Sequence, residues 1–154
     1  MDVPVIEQAT LEDLPQLTDL LLDLFSHESD FNPDSTKQMR GLRLILEQPN
    51  RGRIFVARHG GRILGMINLL FTISTAEGGF VLLLEDLIVH QEFRKQGLGA
   101  RLLEHGIAYA REKKFLRITL LTDRVTEESE QQFFRKHGFV DSSMIPMRLK
   151  IDTL

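Results

Sequence analysis

Residues 80–122 alternate between strand and helix patterns in a way that limits the possible folds strongly. The apolar run FVLLLEDLIV, residues 80–89, is followed from residue 98 by an amphipathic helix pattern, and the run LRITLLT follows at residues 116–122. A strand, a helix and another strand in this order need a crossover connection, so the two strands are predicted to pair in parallel.

The sequence around this segment adds three strands and two helices ahead of it, and a helix and a strand after it. The earlier elements are a strand at residues 3–9, helices at 10–25 and 35–48, and strands at 52–58 and 62–74. Short glycine turns join the second, third and fourth strands, which predicts an antiparallel meander. The later elements are the helix EESEQQFFRKH and a closing strand at residues 139–151. The expected fold is α/β, a single domain over residues 1–154 whose mixed, mostly antiparallel central sheet is flanked by helices.

The composition excludes several classes of function. A net charge of −3 argues against binding to nucleic acid. The absence of cysteine excludes disulfides and a thiolate nucleophile, and the five histidines show no metal-ligand spacing, so no metal is expected. No apolar run exceeds the five residues FVLLL, so no membrane span is expected. With an acidic amino-terminal segment that lacks a signal-peptide core, a cytoplasmic location is expected.

The turn before the predicted helix has the chemistry of a phosphate site. The amino-terminal N–H groups of a helix lack partners, and glycine lets a polyanion approach them closely. Gly97 and Gly99 supply this access, and Arg94 and Lys95 supply positive charge.

Two familiar phosphate motifs do not fit this turn. A P-loop needs lysine and Ser/Thr after its last glycine, where Ala100 and Arg101 stand. A dinucleotide fingerprint needs a third glycine at Leu102 and an acid near Arg117. A glycine turn that only joins strand to helix remains the alternative.

Two motifs accompany this order of elements. One is Arg94-Lys95-Gln96-Gly97-Leu98-Gly99-Ala100, and the other is FFRKHGF near the end of the chain. The motifs and the order of elements together resemble the GCN5-related N-acetyltransferase (GNAT) superfamily. The resemblance implies that the chain uses acetyl-coenzyme A (acetyl-CoA) as cosubstrate and that the amides of the first motif hold its pyrophosphate. It also implies a sheet splayed between the fourth and fifth strands. There the exposed backbone of Leu87, Ile88 and Val89 would receive the pantetheine arm.

Two carboxylates, Glu85 and Asp86, interrupt the apolar fourth strand. Such a strand is usually buried, and burial raises the pKa of a carboxylate toward the range that a general base needs. Strand alternation predicts that the two side chains point to opposite faces. The resemblance favours Glu85 as the base. Asp86 could equally anchor a backbone amide or bind the ammonium group of the acceptor. The alternative is that both carboxylates lie near the exposed end of the strand and pair with basic residues.

The sequence departs from the family where many members have a tyrosine that protonates the departing thiolate. The corresponding residue is Phe134, which can line the cofactor site but cannot donate a proton. The only tyrosine, Tyr109, is predicted to be a packing residue. By the resemblance, the loop with Glu28, Asp30 and Phe31 lines the acceptor pocket, although a solvated loop is an equally simple interpretation.

The resemblance implies direct transfer of an acetyl group to a primary amine in a ternary complex. The compactness of the chain favours a small molecule as the acceptor. Transfer to a protein lysine or N-terminus and non-catalytic sensing of acyl-CoA remain the alternatives. A homodimer is possible, because dimers are frequent in the family.

Overall fold

The chain divides into two compact units, residues 1–121 and 122–154. The computed structural model describes residues 3–25, 34–122 and 128–151. The first unit contains strands β1 (Val5–Gln8), β2 (Gly52–His59), β3 (Arg62–Ser74), β4 (Gly79–Val89) and β5 (Ile118–Leu120), and helices α1 (Leu14–Phe25), α2 (Ser35–Leu46) and α3 (Leu98–Glu112). The second unit contains helix α4 (Glu128–Lys136).

The strands form one sheet in the order β1-β2-β3-β4-β5. Neighbouring strands are antiparallel except for β4 and β5, which are parallel and are joined through α3. The meander, the crossover and the mixed sheet predicted from the sequence are therefore confirmed.

Helices cover both faces of the sheet. Leucines of α1 and α2 pack against one face in a single buried cluster with Ile54, Val56, Met66 and Ile88. On the other face α3 lies close to β3, because Gly106 has no side chain: a Cβ there would stand 3.0 Å from Ile67 Cδ1.

An aromatic cluster fills the space between α3 and the sheet. The ring of Tyr109 lies 5.2 Å from that of Phe55 and 6.2 Å from that of Phe115, and Phe71 stacks on it at 6.4 Å. The structure thus shows Tyr109 in the packing role predicted for it.

The same cluster includes His105, whose ring lies 4.5 Å from Phe55. Burial lowers the pKa of His105, because the charged imidazolium loses hydration. The unfolded chain therefore binds this proton more readily than the folded protein does. Stability should fall as the pH drops below about 6.5, the ordinary histidine value.

We expect His105→Phe to reduce this loss of stability. The measurement is the free energy of unfolding in urea at pH 7.5 and pH 5.5. His59→Gln, at the exposed end of β2, serves as the control and should keep the wild-type pH dependence. An equal decline in the wild type and in His105→Phe would contradict the assignment.

A partly buried ion pair ties the residues just before α1 to the sheet. The guanidinium of Arg58 on β2 donates to both carboxylate oxygens of Asp13, at 3.0 and 2.9 Å, and also contacts Glu7 on β1. The Asp13 carboxylate also accepts the backbone N–H of Thr10 at 2.9 Å. Burial alone would raise the pKa of Asp13, but these hydrogen bonds and the charge of Arg58 outweigh it and hold the pKa below its ordinary value.

The closing strand predicted at residues 139–151 is wrong for this structure, which shows no strand there. Its alternating side chains Met147, Leu149 and Ile151 are 75–95% exposed. The local pattern favours a strand, but a strand forms only when a neighbouring backbone pairs with it.

Candidate active site

Strands β4 and β5 are paired over a short distance only. The ladder joins Leu82, Leu83 and Leu84 to the three residues of β5, whereas the pairing of β4 with β3 continues to Val89. Among the described residues, no strand pairs with the β5 side of β4 beyond Leu84. The predicted splay is confirmed, and the backbone of Leu87, Ile88 and Val89 lies along the opened edge.

A β-bulge marks the point where the two strands separate. On β3, the adjacent residues Asn68 and Leu69 pair with Asp86 and Leu84 of β4, respectively. Glu85, which lies between the two β4 residues, therefore has no partner in the ladder. Adjacent residues of β3 point to opposite faces, and directly opposed residues share a face. Leu84 and Asp86 therefore face opposite sides of the sheet, although a regular strand would put them on the same side. A bulge of this kind bends its strand and redirects side chains.

The two carboxylates differ in their surroundings. Glu85 is exposed and Asp86 is half-buried, so the expectation that the strand buries both carboxylates is wrong for Glu85. The bulge is the physical reason, because it takes Glu85 out of the ladder. Asp86 Oδ2 accepts a hydrogen bond of 2.9 Å from Asn68 Nδ2.

The turn after β4 has a backbone suited to an anion. Lys95 and Gly97 both adopt positive φ angles, 63° and 83°. Gly97 is the N-cap of α3 and offers no side-chain cap, so the first N–H groups of the helix, at Leu98, Gly99 and Ala100, have no side-chain acceptor from the cap. Successive N–H groups around left-handed residues form concave anion sites, and the helix dipole adds positive potential there.

The side chains of this turn are exposed, but one of its two cations is engaged with the protein. Arg94 Nε donates to the backbone oxygen of Val89 at 3.1 Å, and its Nη2 lies 3.9 Å from Asp23 Oδ2 on α1. Arg94 therefore joins the end of β4 to α1. Lys95 and Gln96 project from the exposed surface of the turn.

Four of the predicted site residues lie outside the described part of the first unit. Glu28, Asp30 and Phe31 lie outside the described residues. Phe134 belongs to the second unit, where its ring packs edge-on against Phe133 and Phe139.

Asn68 is a further residue of this region that sequence reasoning does not indicate. Its only signal is an amide in the otherwise apolar run GMINLLF of β3, and its partner Asp86 becomes visible only when the register is known.

The described part of the chain shows neither a metal site nor a membrane span. In residues 3–25, 34–122 and 128–151, no group of three or more histidine, aspartate or glutamate side chains is placed to hold a metal ion. Within the same ranges, no helix has the length and apolar character needed to cross a membrane.

The sequence model of the Acetyltransferase (GNAT) family matches residues 14–139. No curated protein sequence matches the chain. A solved probable acetyltransferase is 27% identical, with a TM-score of 0.82 over 97% of this chain and 99% of that one. A possible acetyltransferase from Clostridium difficile 630 is 14% identical, with a TM-score of 0.86 over 98% and 100%. The aminoglycoside acetyltransferase meta-AAC0020 from an uncultured soil metagenomic sample, in complex with sisomicin, is 23% identical, with a TM-score of 0.77 over 96% of each chain.

Proposed function

Since the chain belongs to the GNAT acetyltransferase family, we propose that it transfers an acetyl group from acetyl-CoA to a primary amine of a small molecule. The transfer is direct and takes place in a ternary complex. When bound, acetyl-CoA supplies the acetyl group as an activated thioester.

The observation that carries this proposal is the continuous path formed by the open edge of β4 and the turn at the start of α3. The N–H groups at residues 97–100 would hold the pyrophosphate, and the backbone of residues 87–89 would bind the pantetheine arm as if it were a strand. The spatial order fits one extended ligand, because β4 reaches the turn within a few residues of Val89. Buried backbone groups need such partners.

The chain's own carboxylates supply the polar chemistry of the transfer. Asp86 would hold the acceptor's ammonium group. Glu85, which is exposed, would accept the proton that this group loses, directly or through water, so that the neutral nitrogen can bond to the acetyl carbon. The second proton, lost as the amide forms, would pass to water or to the departing thiolate. Because a thiolate is a fair leaving group, the carbon–sulfur bond can break without a protein acid, which agrees with phenylalanine at position 134.

A small acceptor is supported by the neighbour that is an aminoglycoside acetyltransferase and by the two carboxylates at the bulge. The test is release of coenzyme A thiol from acetyl-CoA with a panel of small primary amines and, in parallel, lysine-containing peptides. Turnover with small amines supports the proposal. Turnover with peptides alone would replace it by protein acetylation, and no turnover with either would favour a sensor.

Replacing Gly97 by valine should weaken acetyl-CoA binding at least about tenfold. A branched residue resists the left-handed backbone, and leaving that conformation turns the N–H groups away from the pyrophosphate. Tenfold corresponds to about 1.4 kcal/mol of binding free energy. Titration calorimetry with acetyl-CoA provides the measurement.

Gly78→Val is the matched control for this change. Gly78 has a φ of 82° against 83° at Gly97, and a Cβ would meet no atom within 4 Å at either position. Both variants should therefore lose similar stability, whereas acetyl-CoA affinity should fall in Gly97→Val alone. Equal affinities in the two variants would refute the assignment of the turn.

A further inference from the structure

Asn68 is a buried amide on an apolar part of the sheet. It is 2% exposed, and its neighbours Met66, Ile67 and Leu69 are fully buried hydrophobic residues. Its Nδ2 donates to Asp86, but its Oδ1 is buried without a hydrogen-bond donor from the described residues. A buried acceptor without a donor destabilises the fold, so this amide needs an explanation other than stability.

The register explains how the amide is oriented. Asn68 and Asp86 are directly opposed across β3 and β4, on the face that carries Met66 and Ile88 toward α1 and α2. A carboxylate can only accept hydrogen bonds, so the NH₂ group of Asn68 must face Asp86 and its carbonyl oxygen must face elsewhere. Asn68 is the more deeply buried of the two residues. It therefore supports the carboxylate from the interior of the protein.

We propose that Asn68 is a positioning residue for the acceptor amine. By holding Oδ2 of Asp86 from the interior, Asn68 fixes the carboxylate next to the bulge. Its own carbonyl oxygen adds a second electron-rich atom to an apolar region. The Asp86 carboxylate and the carbonyl oxygen of Asn68 both accept hydrogen bonds. Together they favour a cationic amine over a neutral or anionic acceptor. This inference rests on the proposed function and assigns the class of its acceptor.

A purely structural role predicts a different behaviour on substitution. If the amide served the fold, its replacement by an apolar residue would lower the melting temperature. If it serves the acceptor, that replacement removes an unsatisfied buried oxygen as well as the hydrogen bond to half-buried Asp86. The two effects oppose each other, so the melting temperature should change little. Stability and activity therefore report on separate roles.

The test is Asn68→Val, assayed with the best cationic amine from the panel. The KM for the amine should rise about tenfold, which is about 1.4 kcal/mol, while kcat and the KM for acetyl-CoA change less than twofold. Asn68→Ala removes the amide without introducing a branched side chain. It should likewise raise the KM for the amine while kcat and the KM for acetyl-CoA stay nearly unchanged. Thr18→Val is the control, since Thr18 is equally buried and its hydroxyl donates at 2.7 Å to Leu14 O within α1. It should leave the amine KM unchanged.

A double-mutant cycle shows whether Asn68 acts through Asp86. In the background of Asp86→Asn, the change Asn68→Val should raise the amine KM no further.

Wild-type turnover with an unaltered amine KM in both Asn68 variants would overturn this inference and leave the proposed function standing. A wild type that acetylates no amine would overturn both. A fall in melting temperature without a change in KM would assign Asn68 to the fold.

Discussion

Glu85→Gln should lower kcat by about 100-fold or more, the contribution usual for a general base. Glutamine keeps the size of the side chain but cannot accept the proton of the amine. Since Glu85 has no partner in the β4 ladder and is exposed, the change should leave the fold and the affinity for acetyl-CoA intact. Thiol release with the amine panel and calorimetry with acetyl-CoA measure the two quantities separately.

Glu77→Gln is a suitable control for the loss of one carboxylate. Glu77 lies in the turn that leads into β4, 3.8 Å from Arg117 across an exposed ion pair, and its substitution should leave kcat unchanged. If Glu85→Gln retained full turnover, the base would have to be another group, and Asp86 would be tested next. If the wild type bound acetyl-CoA and acetylated none of the offered amines or peptides, the sensor would be the better description.

Arg58→Met should destabilise the protein by about 3–5 kcal/mol, the usual cost of leaving a buried charge without its partner. The side chain of Asp13 is only 7% exposed and would lose both hydrogen bonds from the guanidinium. The free energy of unfolding in urea at pH 7 measures this loss. Arg62→Met on the same hairpin is the control, because its contact with Glu92 is 3.6 Å long and exposed, and such pairs contribute about 1 kcal/mol or less.

The pH dependence identifies Asp13 as the source of the instability. In the wild type the pKa of Asp13 is lowered, so its contribution is complete above about pH 4, the ordinary aspartate value, and is lost as the pH falls below it. Without Arg58, burial favours the neutral acid, so the deficit of Arg58→Met should shrink between pH 7 and pH 4.5. The double variant Asp13→Leu/Arg58→Met should recover most of the loss at pH 7. A deficit that the double variant leaves unchanged would point to lost packing of the Arg58 side chain.

The order of elements could be predicted from the sequence because each depends on local patterns. The helix pattern at residues 10–25, the glycines around β2 to β4 and the Arg94–Ala100 motif all act over a few residues. The closing strand at residues 139–151 failed for the opposite reason, since its alternation is local but its pairing is not. The pair Arg58–Asp13 is separated by 45 residues, so no local pattern indicates it.

The candidate site was only partly predictable for the same physical reason. The turn at Gly97 could be predicted because glycine spacing before a helix is a local signal, and its role as an anion site stays a prediction. The positions of Glu85 and Asp86 could not be found by strand alternation, because the bulge depends on the register with β3. The hydrogen bond between Asn68 and Asp86 could not be predicted either, because 18 residues separate them in the sequence.

Strand β4 has eleven residues, of which ten pair with β3. A codon deletion that removed Glu85 would keep every existing pair, because Leu84 and Asp86 already oppose adjacent residues of β3. The shortened strand would form an uninterrupted ladder and lose the bend that a bulge introduces. Such a deletion should therefore cost the fold little, so the proposed function rather than the sheet accounts for the extra residue.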